Sequence, residues 1–451
     1  MPFGRRNKVN LECIRLQNYR RFKRFEIHFH PELTVIAARN GHGKTTVLEA
    51  IAAALGPFTG AFDLGRSEHI RRSDARYSAT SGSYENEQNF PVVIDAALES
   101  PEISWQRALL SSKGRTTTKE ASPLSNWGKE LQKDIREGAE VVLPVLRYYS
   151  SKRLWVSHKN VASKAVLTES RTAGYEDCLS SLSSFVQLQE WMKRASLAVI
   201  QHGIQPGYEG SNLRDRLKGI ANAVDTVLAV QGWRHFHYSL VFEELAMVHK
   251  EHGALPISLL SDGVRAMISL VADLALRCVR LNSHLGELAP RESAGIVLID
   301  EVDLHLHPAW QQTVIASLRE AFPKFQLIVT SHSPQVLSTV GSDSIRLVFQ
   351  DESEAWHSHK PQHEVLGLES SVALNDIMGV NPVPPVDEAQ LVADYIALIE
   401  DGKFDSKSGL EIRTKLISTY GTHHSVLRDA DRLIRFQAFK IRQNSDNKKD
   451  F

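Results

Sequence analysis

The sequence predicts an α/β fold with a mixed sheet, a short helical insertion and a helical C-terminal extension. Three stretches carry that prediction: "VIAARNGHGKTT" (35–46), "AGIVLIDEVDLHLHP" (294–308) and "FQLIVTSHSP" (325–334). Each begins as a short apolar run rich in β-branched residues, the pattern of a buried strand. Each ends in polar residues suited to phosphate chemistry.

In the first stretch, Leu33 to Ala37 reads as a strand and Thr46 to Leu55 as a helix of good helix formers, which Gly56-Pro57 is expected to end. Between them, Arg39, Asn40, Gly41, Gly43, Lys44, Thr45 and Thr46 form a phosphate-binding loop. Its backbone N–H groups and the helix N-terminus make an anion cradle. Lys44 is placed to reach the β and γ phosphates, and Thr45 to ligate magnesium. Ala38 stands where the motif's first glycine belongs. Alanine is the smallest replacement, tolerable if φ there is negative.

In the second stretch, Ile296 to Ile299 leads directly into Asp300-Glu301. Carboxylates at a parallel strand's C-terminal end sit beside the phosphate loop, so Asp300 suits a magnesium shell and Glu301 suits orienting and deprotonating a water. The third stretch ends at His332, which can hydrogen-bond a γ phosphate or the attacking water. Between these, "LLSDG" places Ser261, Asp262 and Gly263 before a strongly apolar helix, a second anion site.

These motifs, in this order, resemble those of ABC-type P-loop ATPases, and more closely the SMC, Rad50 and OLD-like branch, AAA-type ATPases of the ABC clade. The resemblance implies that Lys44 and Thr45 bind ATP with Mg2+, and that Asp300 and Glu301 are the magnesium-shell aspartate and catalytic glutamate. It makes His332 the switch histidine. It also implies that Ser261, Asp262 and Gly263 act in trans on nucleotide held by an opposite subunit, with Asp303 bridging the two sites. Paired heads in a homo-oligomer follow. Val264-Arg265 departs from the Gln or Glu that many relatives carry after the signature glycine.

Residues 14–30 alternate in two runs around Asn18-Tyr19-Arg20-Arg21-Phe22, an antiparallel pair opening the head. In the clade a similar turn approaches nucleotide, making Arg20 a candidate phosphate contact, or else part of a solvated basic turn. Lys44 and Ser261 lie 217 positions apart. The expected organisation is therefore an N-terminal ATPase lobe over 1–151, a helical insertion over 152–233, a C-terminal lobe over 234–350 and an extension over 351–451. The stretches 66–90 and 111–123 read as surface loops, and 233–248 returns as strand.

The tail discriminates among relatives. Asp429 and Asp431 could mimic the metal pair of an OLD-like nuclease, but no buried strand precedes them and residues 427–442 fit a helix. No intrinsic nuclease site is expected. Residues 374–405 and the basic end most resemble the ATPase subunit of Septu-type and retron-linked anti-phage systems, which implies a separate HNH nuclease partner and contact with DNA through the complex. The alternatives are an SMC/Rad50-like DNA repair ATPase and a transporter subunit, the latter disfavoured by the long insertion.

Composition agrees with this frame. Lys+Arg and Asp+Glu are both 53, so global charge gives no sign of nucleic acid. Cys13, Cys178 and Cys278 show no metal-ligand spacing, and no long apolar run suggests a membrane span. A cytoplasmic protein is expected. The histidine pairs at 28/30, 305/307 and 423/424 lack nearby further ligands for zinc.

Overall fold

A computed structural model describes residues 8–79, 86–151, 170–180, 185–204 and 212–446. The chain divides into two compact units, Met1–Met378 and Gly379–Phe451. The first unit extends past residue 350, the expected end of the C-terminal lobe.

The first unit opens with the antiparallel pair β1 (Asn10–Tyr19) and β2 (Phe22–His28), with Leu16 opposite Phe25 and Tyr19 opposite Phe22. The fully buried β3 (Leu33–Ala37) runs into the loop and α1 (Lys44–Thr59). Gly56-Pro57 does not end that helix. Proline at 57 has no N–H for the Ala53 carbonyl four residues back, and the buried Arg107 guanidinium donates to that oxygen instead. The next carbonyl, Ala54, accepts the Trp105 indole N–H at 2.8 Å. An outside donor thus replaces the lost helical bond, and the helix continues to Thr59.

Part of the stretch read as surface loop is the hairpin β4 (Arg76–Ala79) and β5 (Asn86–Asn89), with residues 80–85 outside the described set. β6 (Val92–Ser100) and β7 (Ile103–Leu109) complete a four-stranded antiparallel sheet in the order β2-β1-β6-β7. α2 (Ser122–Arg136) lays Trp127 against Phe58 of α1. β8 (Val145–Tyr149) follows. Of the helical insertion, α3 (Phe185–Ile204) and α4 (Leu213–Leu228) are described, while 152–169, 181–184 and 205–211 are not.

The single strand expected over 233–248 is two, β9 (Trp233–Ser239) and β10 (Glu244–His249), joined by a tight turn and extended by β11 (Gly253–Pro256) into a three-stranded sheet. α5 (Asp262–Leu281), α6 (Ala289–Glu292), β12 (Gly295–Ile299), α7 (Pro308–Gln311), α8 (Val314–Ala321), β13 (Phe325–Thr330), α9 (Pro334–Leu337), β14 (Ile345–Gln350), β15 (Trp356–His359) and α10 (Ser370–Met378) complete the unit.

The central sheet has the order β15-β14-β3-β13-β12-β8, parallel except for β14 with β15. Apolar runs such as Gly295–Ile299 are buried throughout, as strands covered on both faces require. On one face, α5 is tied to β8 by a buried polar cluster. Asp273 accepts from Arg147 Nε at 2.9 Å, from Tyr149 Oη at 2.8 Å and from Arg277 Nε at 3.2 Å. Burial alone would raise the Asp273 pKa, but the two guanidiniums and the hydroxyl overcome it and hold the carboxyl down at about 2.

The second unit contains α11 (Asp387–Glu400), α12 (Lys407–Tyr420) and α13 (Ser425–Asp446), packed around Tyr395, Ile399, Leu416, Leu427 and Ala430. Asp431 pairs with Arg413 at 2.8 Å. Asp429 is exposed on the outer side of the helix, so the two aspartates do not converge on one point.

Candidate functional site

The sheet order places β13 between the loop strand β3 and the carboxylate strand β12. The loop therefore meets the carboxylates across the end of β13, and a residue of that strand links them. Thr330 Oγ1 donates to Asp300 Oδ1 at 2.8 Å and accepts from the Glu301 N–H at 2.7 Å. Thr45 Oγ1 donates to the other oxygen, Asp300 Oδ2, at 2.9 Å. Asp300 is fully buried, and these hydroxyls offset its desolvation. Thr330 is the site residue that motif reading missed. Its signal was a hydroxyl at the end of an otherwise apolar strand adjoining the carboxylate strand.

The loop itself is built on glycines with left-handed backbone. Gly41 has φ +77° and Gly43 φ +90°, and a Cβ on Gly43 would stand 2.6 Å from the Phe22 ring. A side chain there is excluded by both strain and space. Lys44 is buried and its Nζ donates to the Ala38 carbonyl at 2.9 Å and the Arg39 carbonyl at 3.4 Å. Alanine at position 38 thus leaves the carbonyl available to the lysine. Burial pushes the Lys44 ammonium down to about 8, against the pull of Asp300, Glu301 and Asp303. Asn40 is exposed at the loop tip and Thr46 is buried in the first turn of α1.

His332 is half-buried after β13. Burial and the charge on Lys44 push its imidazole pKa below the ordinary value, against opposing pulls from Asp303 and Asp300. Glu301 adopts φ +50°, a strained conformation for a non-glycine residue at the turn out of β12. Asp303 Oδ1 is buried without a hydrogen-bond partner. Ser261 stands at the N-cap position of α5 but makes no side-chain capping hydrogen bond and is exposed, and Asp262 is exposed and paired with Arg265. Gly263 is pressed against the turn after Glu301, since a Cβ there would lie 2.4 Å from the His305 carbonyl oxygen. The start of α5 and the 301–307 turn therefore form one continuous surface.

Arg20 is held by two carboxylates. Its guanidinium pairs with Glu49 and, at 2.9 Å, with Asp74, and its backbone N–H donates to the Asp74 carbonyl at 2.6 Å. Its neighbour Arg21 lies over the glycines, with Cδ 3.0 Å from a Cβ built on Gly43. The oxygen-only pair of Thr45 and Asp300 fits a hard cation such as magnesium. Elsewhere, cross-strand register brings Cys13 to Glu26 and His28, and the β10–β11 hairpin gathers His249, Glu251 and His252. Only Cys13 is brought in from a distance by strand pairing; Glu26 with His28, and His249 with Glu251 and His252, are close in the chain. Glu26 is occupied by Arg15 at 2.9 Å and His28 at 3.0 Å. Among the described residues no helix is long and apolar enough to cross a membrane.

Comparison with known proteins finds similar chains among ATPases. An AAA-domain family model matches residues 13–228, and a second, described as an AAA domain of AbiEii-toxin, type IV TA-system type, matches 201–338. "Retron Vc95 probable ATPase" of Vibrio cholerae serotype O1 biovar El Tor is 25% identical over 90% of this chain and 86% of its own length. Septu protein PtuA of Bacillus thuringiensis is 28% identical over 30% of this chain and 35% of its own. An SMC head bound to the C-winged helix domain of ScpA aligns with 78% of this chain and 97% of its own, at 15% identity and a TM-score of 0.44. The chain is an ATPase that matches AAA-domain models over two stretches, similar to "Retron Vc95 probable ATPase" along most of its length and to Septu protein PtuA over part of it.

Proposed function

We propose that the chain is the regulatory ATPase of an anti-phage complex, binding ATP between two copies of itself and controlling a separate HNH nuclease that acts on DNA. The observation that carries this reading is the hydroxyl bridge from Thr45 through Asp300 to Thr330 and the Glu301 backbone, which couples the phosphate loop to the turn bearing the base. Lys44, Gly41, Gly43, Arg39, Asn40 and Thr46 bind the phosphates. Thr45 and Asp300 are the residues that would hold Mg2+, which when bound supplies charge neutralisation at the β and γ phosphates.

Glu301 accepts a proton from the attacking water, and His332, kept neutral near pH 7 by burial and Lys44, hydrogen-bonds the γ phosphate or that water. Ser261, Asp262 and Gly263 contact the γ phosphate of nucleotide in the opposite copy, with Asp303 between the sites. Two supports favour this paired arrangement. Ser261 is exposed and uncommitted to its own helix cap, and Gly263 is packed on the turn that follows Glu301. The nuclease partner is inferred from the Septu-type resemblance.

Sedimentation of Glu301→Gln with and without MgATP tests the pairing. A faster nucleotide-dependent species is expected, and an unchanged coefficient would remove the paired-head reading. Co-expression with an adjacent HNH gene tests the partner, with co-purification expected.

A further inference from the structure

We infer that the outward face of α13 binds single-stranded nucleic acid, through a row of arginines interleaved with two exposed phenylalanines. The helix packs on the second unit through Leu427 and Ala430, with Leu433 and Ile434 partly buried beside them. Residues three and four apart share a face. The face opposite that core therefore carries Arg428, Arg432, Arg435, Phe436 and Phe439, with Asp429 and Lys440 at its margin. All are exposed, Phe436 by 53% and Phe439 by 56%.

Two exposed aromatic rings thus stand among charges on a side that in an ordinary amphipathic helix is polar. Among the described residues the three arginines make no ion pair, and Arg435 Nε donates only to the Asp431 backbone carbonyl at 3.3 Å. The acidic residues of the same stretch do not neutralise them, since Asp431 is bonded to Arg413 and Asp429 pairs with none of the three arginines in the described ion pairs. Like charges at i and i+4, as at Arg428 and Arg432, cost helix stability unless an anion lies between them. Lys440 rests over the Phe436 ring at 5.3 Å, holding that ring at the surface beside positive charge.

A ligand that satisfies this face must offer regularly spaced anions together with flat apolar surfaces. Phosphates and unpaired bases do so: guanidinium groups take phosphate oxygens, and aromatic rings stack on bases without reading sequence. Duplex DNA hides its bases in the stack and would use only the arginines. Single strands are therefore favoured. The inference goes beyond the ATPase reading and does not rest on it, because α13 lies in the unit separate from the nucleotide site.

The test is fluorescence anisotropy of a labelled mixed-sequence single-stranded oligonucleotide against the full-length protein, with a duplex of the same sequence in parallel. Binding of the single strand in preference to the duplex is expected. Replacing both Phe436→Ala and Phe439→Ala should weaken it at least about tenfold, and Phe436→Trp with Phe439→Trp should restore it. Arg428→Gln with Arg432→Gln should weaken binding and reduce the log–log salt slope by about 1.4. ATP binding, measured on the same samples, should stay unchanged, and its loss in wild type would count against the ATPase reading alone. Wild type that ignores single strands, Ala variants that bind as tightly as wild type, or Phe variants that lose only a co-purifying protein while keeping oligonucleotide affinity would each overturn the inference.

Discussion

Raising the pH should weaken nucleotide binding through one lysine. Lys44 is buried at the start of α1, and burial lowers its pKa to about 8 despite the neighbouring carboxylates. Only the charged ammonium holds phosphate oxygens well, so protein above that pH must take up a proton to bind. With a pKa of about 8, the charged fraction falls from about nine tenths at pH 7 to about one tenth at pH 9. The apparent dissociation constant should rise about tenfold, or ~1.4 kcal/mol. Stability moves the other way. The unfolded lysine, at its usual value near ~10.4, holds its proton more tightly, so the contribution of this group to stability rises between about pH 8 and 10.4. Weaker binding at pH 9 therefore does not come from Lys44 unfolding the site. The assay is titration with a fluorescent ATP analogue at pH 7, 8 and 9, at fixed magnesium and ionic strength, on wild type and Lys44→Ala. Equal wild-type affinity at pH 7 and 9, or the same pH slope in Lys44→Ala, would refute the reasoning.

Thr330→Val keeps the shape of the strand end but removes the donor to Asp300 and the acceptor for the Glu301 N–H; phosphate release should slow, and melting should show a loss of about 1–3 kcal/mol. Asp273→Ala leaves the buried Arg147 and Arg277 without their carboxylate. A destabilisation of about 3–5 kcal/mol is expected in urea titration, and a midpoint like that of wild type would contradict it. Truncation after Met378 should keep nucleotide affinity, whereas truncation after Gln350 should lose folded protein by circular dichroism. The second cut removes β15, whose Trp356 packs edge-on to Phe22 and His42, and the buried Val365.

The phosphate loop, the carboxylate strand and the start of α5 were legible because each is local: a buried strand, a turn and a helix within about fifteen residues. What linear reading could not supply came from pairings distant in the chain. Thr330 became a site residue only when β13 fell between β3 and β12. Arg20 read equally as a phosphate contact or as part of a solvated basic turn, because its partner Asp74 lies 54 positions away. Pro57 read as a stop because the Arg107 donor that rescues its helix lies on β7. The strand beyond 350 was hidden for a similar reason: β15 is polar and short, and its place in the sheet depends on pairing with β14. The tail helix was legible as a helix, but which face was free required the packing of α11 and α12.

The central claim is that Glu301 is the base for ATP hydrolysis at a site made by Thr45, Asp300 and Thr330. Phosphate release by wild type and Glu301→Gln, each with ATP affinity measured on the same preparation, tests it most directly. The account predicts that wild type releases phosphate and that the variant binds ATP with similar affinity while turning over about 10² to 10⁴ times more slowly. A variant that hydrolyses at the wild-type rate would contradict it.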